Sequence, residues 1–299
     1  MATLGDHLRQ RYKEHAEAVE ARGRGEKPKL FLGTGIRSWD ANGGLERGIV
    51  TLIAAPTGEG KSAMMLHLTR TVAEAGKKVL VLSFEDPPGK TCDRVLAYTS
   101  GSPGHVLGRM DYDASLLPRL LAAAKENIGW ADRVQFEAGL ATADEAIKLV
   151  QEAEADLIVV DYAQAFPDGK NETRERMLNR IGWELSKIAG GPTRPAVVLF
   201  SQVRRDVAER GKSVYDRTGK IDGYRPGPGV SDIGWAESLG QTAKCVIYLF
   251  RPGRWARNHG MAVMDNVMEL VFAKVSFGVE GVLSVHWDGA SASIRDKTV

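Results

Sequence analysis

The sequence has few cysteines, no long apolar segment and almost no net charge, and each shortage argues against a class of protein. Its two cysteines, Cys92 and Cys245, lie far apart without a metal-ligand pattern, which favours reduced thiols in a reducing cytoplasm. The apolar runs are short, so we expect neither a signal peptide nor a membrane span. A net charge of +2 means that any nucleic-acid-binding surface must be local.

The length and composition predict one large domain with a short N-terminal arm. A chain of 299 residues with 43% hydrophobic content can bury a large core, which we assign to residues 31–299. Residues 1–30 are polar, but Leu4, Leu8 and Tyr12 recur at helical spacing. An apolar stripe this narrow does not stabilise an isolated helix. The arm is therefore either a solvated tail or a linker helix that packs on a neighbouring subunit.

A phosphate-binding loop at residues 55–62 organises the sequence around it. It reads Ala-Pro-Thr-Gly-Glu-Gly-Lys-Ser, after an apolar strand and before a helix. The glycines allow backbone N–H groups to point at a phosphate, Lys61 can reach the β- and γ-phosphate oxygens, and the Ser62 hydroxyl can bind Mg²⁺. The predicted nucleotide contacts are Gly58, Glu59, Gly60, Lys61 and Ser62.

Short apolar segments alternate with helical stretches along the remainder of the chain. This alternation predicts an α/β fold with a mainly parallel central sheet flanked by helices, and the last two segments predict an antiparallel extension. The predicted strands are Val50–Ala54, Val79–Phe84, Val134–Glu137, Leu157–Val160, Val197–Ser201, Cys245–Phe250, Met268–Lys274 and Val282–Trp287.

Three predicted strands end in polar residues suited to phosphate chemistry. Asp161 follows an apolar strand, which is where phosphate-loop enzymes place a carboxylate of the Mg²⁺ shell. Glu85 follows a second strand and could deprotonate the attacking water, or it could be a capping or solvated carboxylate. Gln202 follows a third strand and could sense the γ-phosphate and pass its state to the next loop.

That next loop, residues 203–230, is long, rich in glycine and proline, and basic. It carries seven basic side chains against four acidic ones, which suits contact with nucleic-acid phosphates. The alternative is a solvated insertion. The predicted nucleic-acid contacts are Arg204, Arg205, Arg210 and Lys212.

Over residues 33–295 the sequence resembles the C-terminal RecA-type motor domain of the DnaB family of replicative helicases. The phosphate loop of that family also begins with Ala, as Ala55 does here. The match consists of several linked motifs in the right order, so it is specific. The motifs are Gly33 to Asp40 with Gly43-Gly44-Leu45, Ser83-Phe84-Glu85 with Arg94 after it, Asp161-Tyr162-Ala163-Gln164, and Ser201-Gln202 with Arg204.

The resemblance implies an ATP- and Mg²⁺-dependent hexameric ring DNA helicase that moves along single-stranded DNA, with a primase or helicase loader as a further partner. It also implies that Arg251 and Trp287 hold the nucleotide base between them, since a guanidinium and an indole are good planar partners. By the same resemblance, Lys274 reaches the γ-phosphate in the neighbouring subunit.

The sequence also departs from the family at two places. Ser276 stands where the family usually has an arginine finger, so either Arg254 or Arg257 substitutes or hydrolysis is slow. Residues 233–238 differ from the family's DNA-contacting segment. These departures leave alternatives open: a RecA-superfamily ATPase that uses ATP binding as an assembly or loading switch, or a recombination mediator that forms helical filaments.

Overall fold

The computed structural model describes residues 3–25, 28–140, 142–161, 163, 173–203, 237–258, 265–276 and 280–297. The strands in this part of the chain are β1 (Phe31–Leu32), β2 (Leu45–Glu46), β3 (Val50–Ala55), β4 (Val79–Ser83), β5 (Val134–Ala138), β6 (Leu157–Asp161), β7 (Ala196–Gln202), β8 (Cys245–Phe250), β9 (Val267–Val275), β10 (Gly281–Asp288) and β11 (Ser293–Arg295). The helices are α1 (Leu4–Gly23), α2 (Arg37–Ala41), α3 (Lys61–Glu74), α4 (Pro88–Ser100), α5 (Gly104–Arg109), α6 (Leu117–Ala131), α7 (Ala143–Glu152), α8 (Arg174–Ala189), α9 (Glu237–Thr242) and α10 (Pro252–Asn258). All eight predicted strands are present, whereas the short β1, β2 and β11 were not predicted.

Within the described residues, nine strands form one sheet in the order β11-β10-β9-β8-β3-β7-β6-β4-β5. The six strands from β8 to β5 are parallel. Strands β9, β10 and β11 add to the β8 side in antiparallel fashion. The predicted parallel sheet and its antiparallel extension are both confirmed.

Helices cover both faces of the parallel strands, which explains why these strands are apolar along their whole length. All six residues of β3 are buried. Because side chains alternate along a strand, Leu52 belongs to the core on one face, with α7 and α8, and Ile53 belongs to the core on the other face, with α3. Each fully buried Leu or Ile contributes about 1.5–3 kcal/mol, so the sheet and its two helical layers form one stable unit.

The carboxyl ends of four neighbouring strands meet at one edge of the sheet. In the register of the sheet, Ser83 of β4 lies opposite Asp161 of β6, and Ala55 of β3 lies opposite Gln202 of β7. In open parallel sheets, ligands bind outside this edge. The fold therefore brings the phosphate-binding loop and the three polar strand ends to the same side.

Helix α1 confirms the predicted N-terminal helix. It begins with a capping box between Thr3 and Asp6 and ends at Gly23. Its apolar stripe is largely uncovered: Leu8 is 62% exposed and Tyr12 is 75% exposed. An ion pair of 3.0 Å between Glu14 and Arg194 connects the helix to the body of its own chain. Neither α1 nor any other helix in the described ranges is both long and apolar enough to cross a bilayer.

Candidate nucleotide-binding site

The phosphate-binding loop connects β3 to α3 and has the backbone that the sequence predicts. Gly58 and Gly60 both have positive φ, +81° and +103°, which L-residues with a Cβ rarely adopt. The space around them is also closed. A Cβ on Gly60 would collide with the Met268 side chain, and one on Gly58 would collide with the Arg254 guanidinium. The positive φ therefore favours glycine at both positions, whereas the colliding groups are the ends of flexible side chains that can move.

The side chain of Lys61 is folded against its own loop. It is 7% exposed, and its Nζ donates hydrogen bonds to the carbonyl oxygens of Ala55 at 2.9 Å and Pro56 at 3.1 Å. Burial lowers the pKa of this lysine, and the charges of Asp161 and Glu85 oppose that shift. The ammonium group is therefore held close to the two carboxylates at the strand ends.

Asp161 ends β6 and has the features of a cation ligand. It is 1% exposed, and neither of its carboxylate oxygens has a hydrogen-bond partner among the residues that the structure describes. Burial, followed by the charge of Glu85, raises its pKa to about 6, whereas Lys61 acts in the opposite direction. A buried carboxylate with free oxygens fits Mg²⁺, which prefers oxygen ligands. Ser62, the second residue of α3, is the predicted co-ligand.

Two adjacent carboxylates follow β4, and the structure separates their environments. Asp86 is buried and forms ion pairs with Arg94 at 2.6 Å and Lys90 at 3.5 Å. The Ser83 hydroxyl donates to the Asp86 carbonyl at 2.8 Å and fixes the turn. Glu85 is exposed at the same edge. The ion-paired Asp86 therefore stabilises the turn, while Glu85 remains accessible for proton transfer.

Gln202 is the third polar residue at this edge of the sheet, and it lies on β7, the strand next to β3. It is the last residue of β7, and the next amide, from Val203, donates to the Ala55 carbonyl at 3.3 Å. That carbonyl also accepts from Lys61. The strand that bears Gln202 is thus hydrogen-bonded directly to the start of the phosphate-binding loop.

Arg251 and Trp287 lie beside this loop, but not as two sides of an open slot. The Arg251 guanidinium lies over the indole, 4.4 Å from the ring centroid, and Trp287 is 4% exposed. The guanidinium also pairs with Asp265 and donates to the Gly58 carbonyl at 2.9 Å. For a base to fit between two planar groups, the two groups must be separated by about twice the van der Waals stacking distance of ~3.5 Å. The expected sandwich is therefore closed in this structure, and a base fits between the two groups only if Arg251 moves.

Lys274 contacts its own chain in the structure. Its Nζ donates to the carbonyl oxygens of Gly240 at 3.0 Å and Gln241 at 3.1 Å, near the end of α9. Partial burial and the nearby Lys244 lower its pKa. Ser276 donates to the Lys244 carbonyl at 2.9 Å. The role of Lys274 in a neighbouring subunit stays a prediction, and it requires the ammonium group to leave these carbonyls.

The two arginines considered as substitute fingers also contact their own chain. Arg257 pairs with Asp265 at 2.5 Å. Arg254 reaches the phosphate-binding loop, where it pairs with Glu59 at 3.2 Å and donates to the Gly58 carbonyl at 2.9 Å. Sequence reasoning missed this contact, although the spacing of three between these arginines on α10 indicates a common helix face. The predicted DNA contacts Arg204, Arg205, Arg210 and Lys212 lie outside the described residues.

Comparison with known proteins gives a consistent result. The family model for the DnaB-like helicase C-terminal domain matches residues 32–296. A DnaB-like replicative helicase, described with its interactions with primase, superposes with a TM-score of 0.77 at 18% identity over 100% of this chain and 68% of its own. A solved ATPase domain gives a TM-score of 0.77 at 18% identity, covering 100% of both chains. The RadB recombinase gives 0.56 at 17% identity over 90% of this chain and 100% of its own.

No curated protein sequence matches this chain. At identities below 20%, the structural similarities show a shared RecA-like fold, and activity has to be argued from the site.

Proposed function

Because the chain belongs to the family of DnaB-like helicase C-terminal domains, we propose that it is an ATP-dependent hexameric ring helicase that moves along single-stranded DNA during replication. The observation that best supports this proposal is the arrangement of charged residues at the carboxyl edge of the sheet. Lys61, Asp161 and Glu85 interact electrostatically there, next to a loop built for phosphate. This arrangement suits phosphoryl transfer to water.

Each residue of this edge has one task in the proposal. Lys61 leaves the loop carbonyls and binds the β- and γ-phosphate oxygens. Asp161 and Ser62 hold Mg²⁺, which neutralises phosphate charge when it is bound. Glu85 accepts a proton from the attacking water. Gln202 transmits the state of the γ-phosphate to the basic segment that follows β7, where Arg204, Arg205, Arg210 and Lys212 contact the DNA backbone.

The ring itself is proposed to form through two apolar stripes that are exposed in the part of the chain that the structure describes. One is the stripe of α1, with Leu4, Leu8 and Tyr12, and the other lies on α6. On α6, Leu117, Leu121 and Ile128 are 54%, 56% and 53% exposed, at spacings of four and seven residues. Stripes of this spacing fit a helix-on-helix contact. We propose that α1 of one subunit packs on α6 of the next.

A pair of aspartate substitutions tests the assembly. Leu8→Asp and Leu121→Asp each place a charge in the proposed contact, and we expect either to dissociate the complex that the parent forms with Mg²⁺ and ATP. Analytical ultracentrifugation measures the oligomer. Ala122→Asp, which adds the same charge to the neighbouring exposed position of α6, should assemble like the parent. Assembly of both stripe variants at the parent's concentration would contradict the contact.

The activity is tested by steady-state ATP hydrolysis with and without single-stranded DNA at low salt, with Lys61→Ala as the blank. We expect hydrolysis that DNA stimulates and that added salt suppresses, because basic contacts with phosphates release counterions. Salt should act on the DNA-dependent part of the rate and leave the basal rate nearly unchanged.

A second candidate function has a specific observation in its favour. Ser276 stands at the usual finger position and donates to its own chain, and Lys274 also contacts its own chain. An ATPase without trans residues can use ATP binding as an assembly or loading switch without unwinding. Binding of ATP without DNA-stimulated hydrolysis would favour this candidate over the helicase.

A further inference from the structure

We propose that Arg254 is a positioning residue of the nucleotide site, which holds the phosphate-binding loop from its outer side within the same chain. The inference rests on the proposed nucleotide binding. It assigns to Arg254 a role within its own subunit and not that of an arginine finger reaching a neighbour.

Three contacts connect Arg254 to the loop. Its Nη1 donates to the Gly58 carbonyl at 2.9 Å, and its Nη2 donates to the Thr57 carbonyl at 3.5 Å. Its Nε pairs with a carboxylate oxygen of Glu59 at 3.2 Å. One guanidinium therefore contacts three consecutive residues of the loop.

Because the peptide bond is planar, the contacts with the carbonyls on the outer side of the loop also affect the orientation of N–H groups on its inner side. The carbonyl of Thr57 shares its peptide plane with the N–H of Gly58, and the carbonyl of Gly58 shares its plane with the N–H of Glu59. A donor that fixes the two carbonyls on the outer side therefore limits the directions of the two N–H groups, of which that of Glu59 donates to the Pro56 carbonyl at 3.4 Å in this structure. Phosphate-binding loops rely on such N–H groups to bind the anion.

Glu59 strengthens this arrangement because it is buried. It is 8% exposed, and its carboxylate also accepts the backbone N–H of Arg251 at 2.9 Å. A buried carboxylate is stable only with charged or hydrogen-bonding partners. Removing Arg254 takes away the guanidinium partner of Glu59 and one donor from each of the two carbonyls, so that only the contacts of Arg251 with Gly58 and Glu59 still support the loop from this side.

Arg254 and Arg257 both lie on α10, but they contact different groups. Arg257 lies one turn further along the helix and pairs with Asp265. Arg254 fills the space beside Gly58, where an added Cβ would collide with its guanidinium.

The test compares Arg254→Ala with the parent in equilibrium binding of a fluorescent ATP analogue and in steady-state hydrolysis. We expect the Kd and the KM to rise about tenfold, equivalent to ~1.4 kcal/mol, while kcat stays within about twofold. Arg254→Lys should recover part of the affinity, because an ammonium can pair with Glu59 but does not match the planar fork of arginine. Arg37→Ala removes an exposed arginine that pairs with Asp296, and it should bind like the parent.

Each outcome bears on a different claim. A parent that binds no nucleotide overturns the proposed function, and this inference with it. A parent that binds, together with Arg254→Ala of unchanged Kd, overturns only the role of Arg254. A variant with unchanged Kd and a large loss of kcat also overturns it and favours an arginine finger. Thermal melting in the absence of nucleotide identifies any variant that fails to fold, in which case Arg254→Lys decides.

Discussion

Asp161→Asn is expected to reduce ATP hydrolysis by about a hundredfold or more and, at the same time, to stabilise the nucleotide-free protein. The loss of activity follows from the loss of an anionic Mg²⁺ ligand, since a bound metal contributes several kcal/mol to stabilising the charge of the transition state. The gain in stability follows from the burial of the carboxylate, whose oxygens have no partner among the described residues.

The sign of the stability effect comes from the pKa. The pKa of Asp161 is about 6 in the folded chain against an ordinary value of 3.8. Folding therefore favours the protonated form, and the ionised carboxylate costs stability at pH 7. This destabilisation disappears progressively as the pH falls from about 6 to about 4, because the carboxylate becomes protonated in the folded chain. At 1.36 kcal/mol per pKa unit, it amounts to at most about 3 kcal/mol.

Thermal melts without nucleotide at pH 7.5 and pH 4.5 measure this effect. The variant should melt higher than the parent at pH 7.5, and the difference should shrink at pH 4.5. Asp132→Asn removes an exposed carboxylate at the C-terminus of α6, where the helix dipole disfavours an anion by about 0.3–1 kcal/mol, so at pH 7.5 this control should raise the melting temperature less than Asp161→Asn does. A variant that melts lower than the parent at pH 7.5 would show that Asp161 is stabilised by a partner in the free protein.

Glu85→Gln is expected to reduce turnover strongly without abolishing binding. General-base catalysis contributes about 10²–10⁴ in rate, so hydrolysis should fall by that factor. Nucleotide affinity should stay the same or improve, because the charge of Glu85 raises the pKa of Asp161 and so opposes its ionised, metal-binding form. Removing that charge makes the carboxylate of Asp161 easier to ionise.

Single-turnover hydrolysis and equilibrium binding separate the two effects. Glu137→Gln is the matched control, because Glu137 lies near the carboxyl end of the adjacent edge strand β5 and bonds to Gln135. It should keep the parent rate. If Glu85→Gln hydrolysed ATP at the parent rate, Glu85 would not be the base, and another group at the strand ends would have to accept the proton.

The parts of the structure that the sequence predicts are those set by local pattern. The parallel strands are continuous apolar segments because both of their faces are buried, and the phosphate-binding loop has glycines where φ is positive. Asp161 and Glu85 are predictable together because adjacent parallel strands end at the same edge. By contrast, β1 and β2 have two residues each, too short for any periodicity to appear.

The contacts that the sequence does not predict are those that depend on the tertiary arrangement. The sequence offers Arg251 and Trp287 as two planar groups, but their pairing with each other is decided by Asp265 and by the Gly58 carbonyl. Likewise, the carbonyls that Lys274 contacts lie 33 and 34 residues earlier in the chain. No local pattern indicates which of several possible partners a long cationic side chain will choose.

The two edges of the main sheet limit how copies of this chain can associate. At one edge, β5 alternates polar side chains with apolar ones, and Gln135 and Glu137 are hydrogen-bonded to each other. At the other, β11 has three residues and ends at the exposed Arg295. Short or polar edge strands are poor templates for a further strand, so edge-to-edge aggregation of the folded chain is disfavoured. Among the residues that the structure describes, side chains on helices and loops are therefore better placed than strand edges to make the proposed contacts between copies, and such contacts can be released and remade without breaking a sheet.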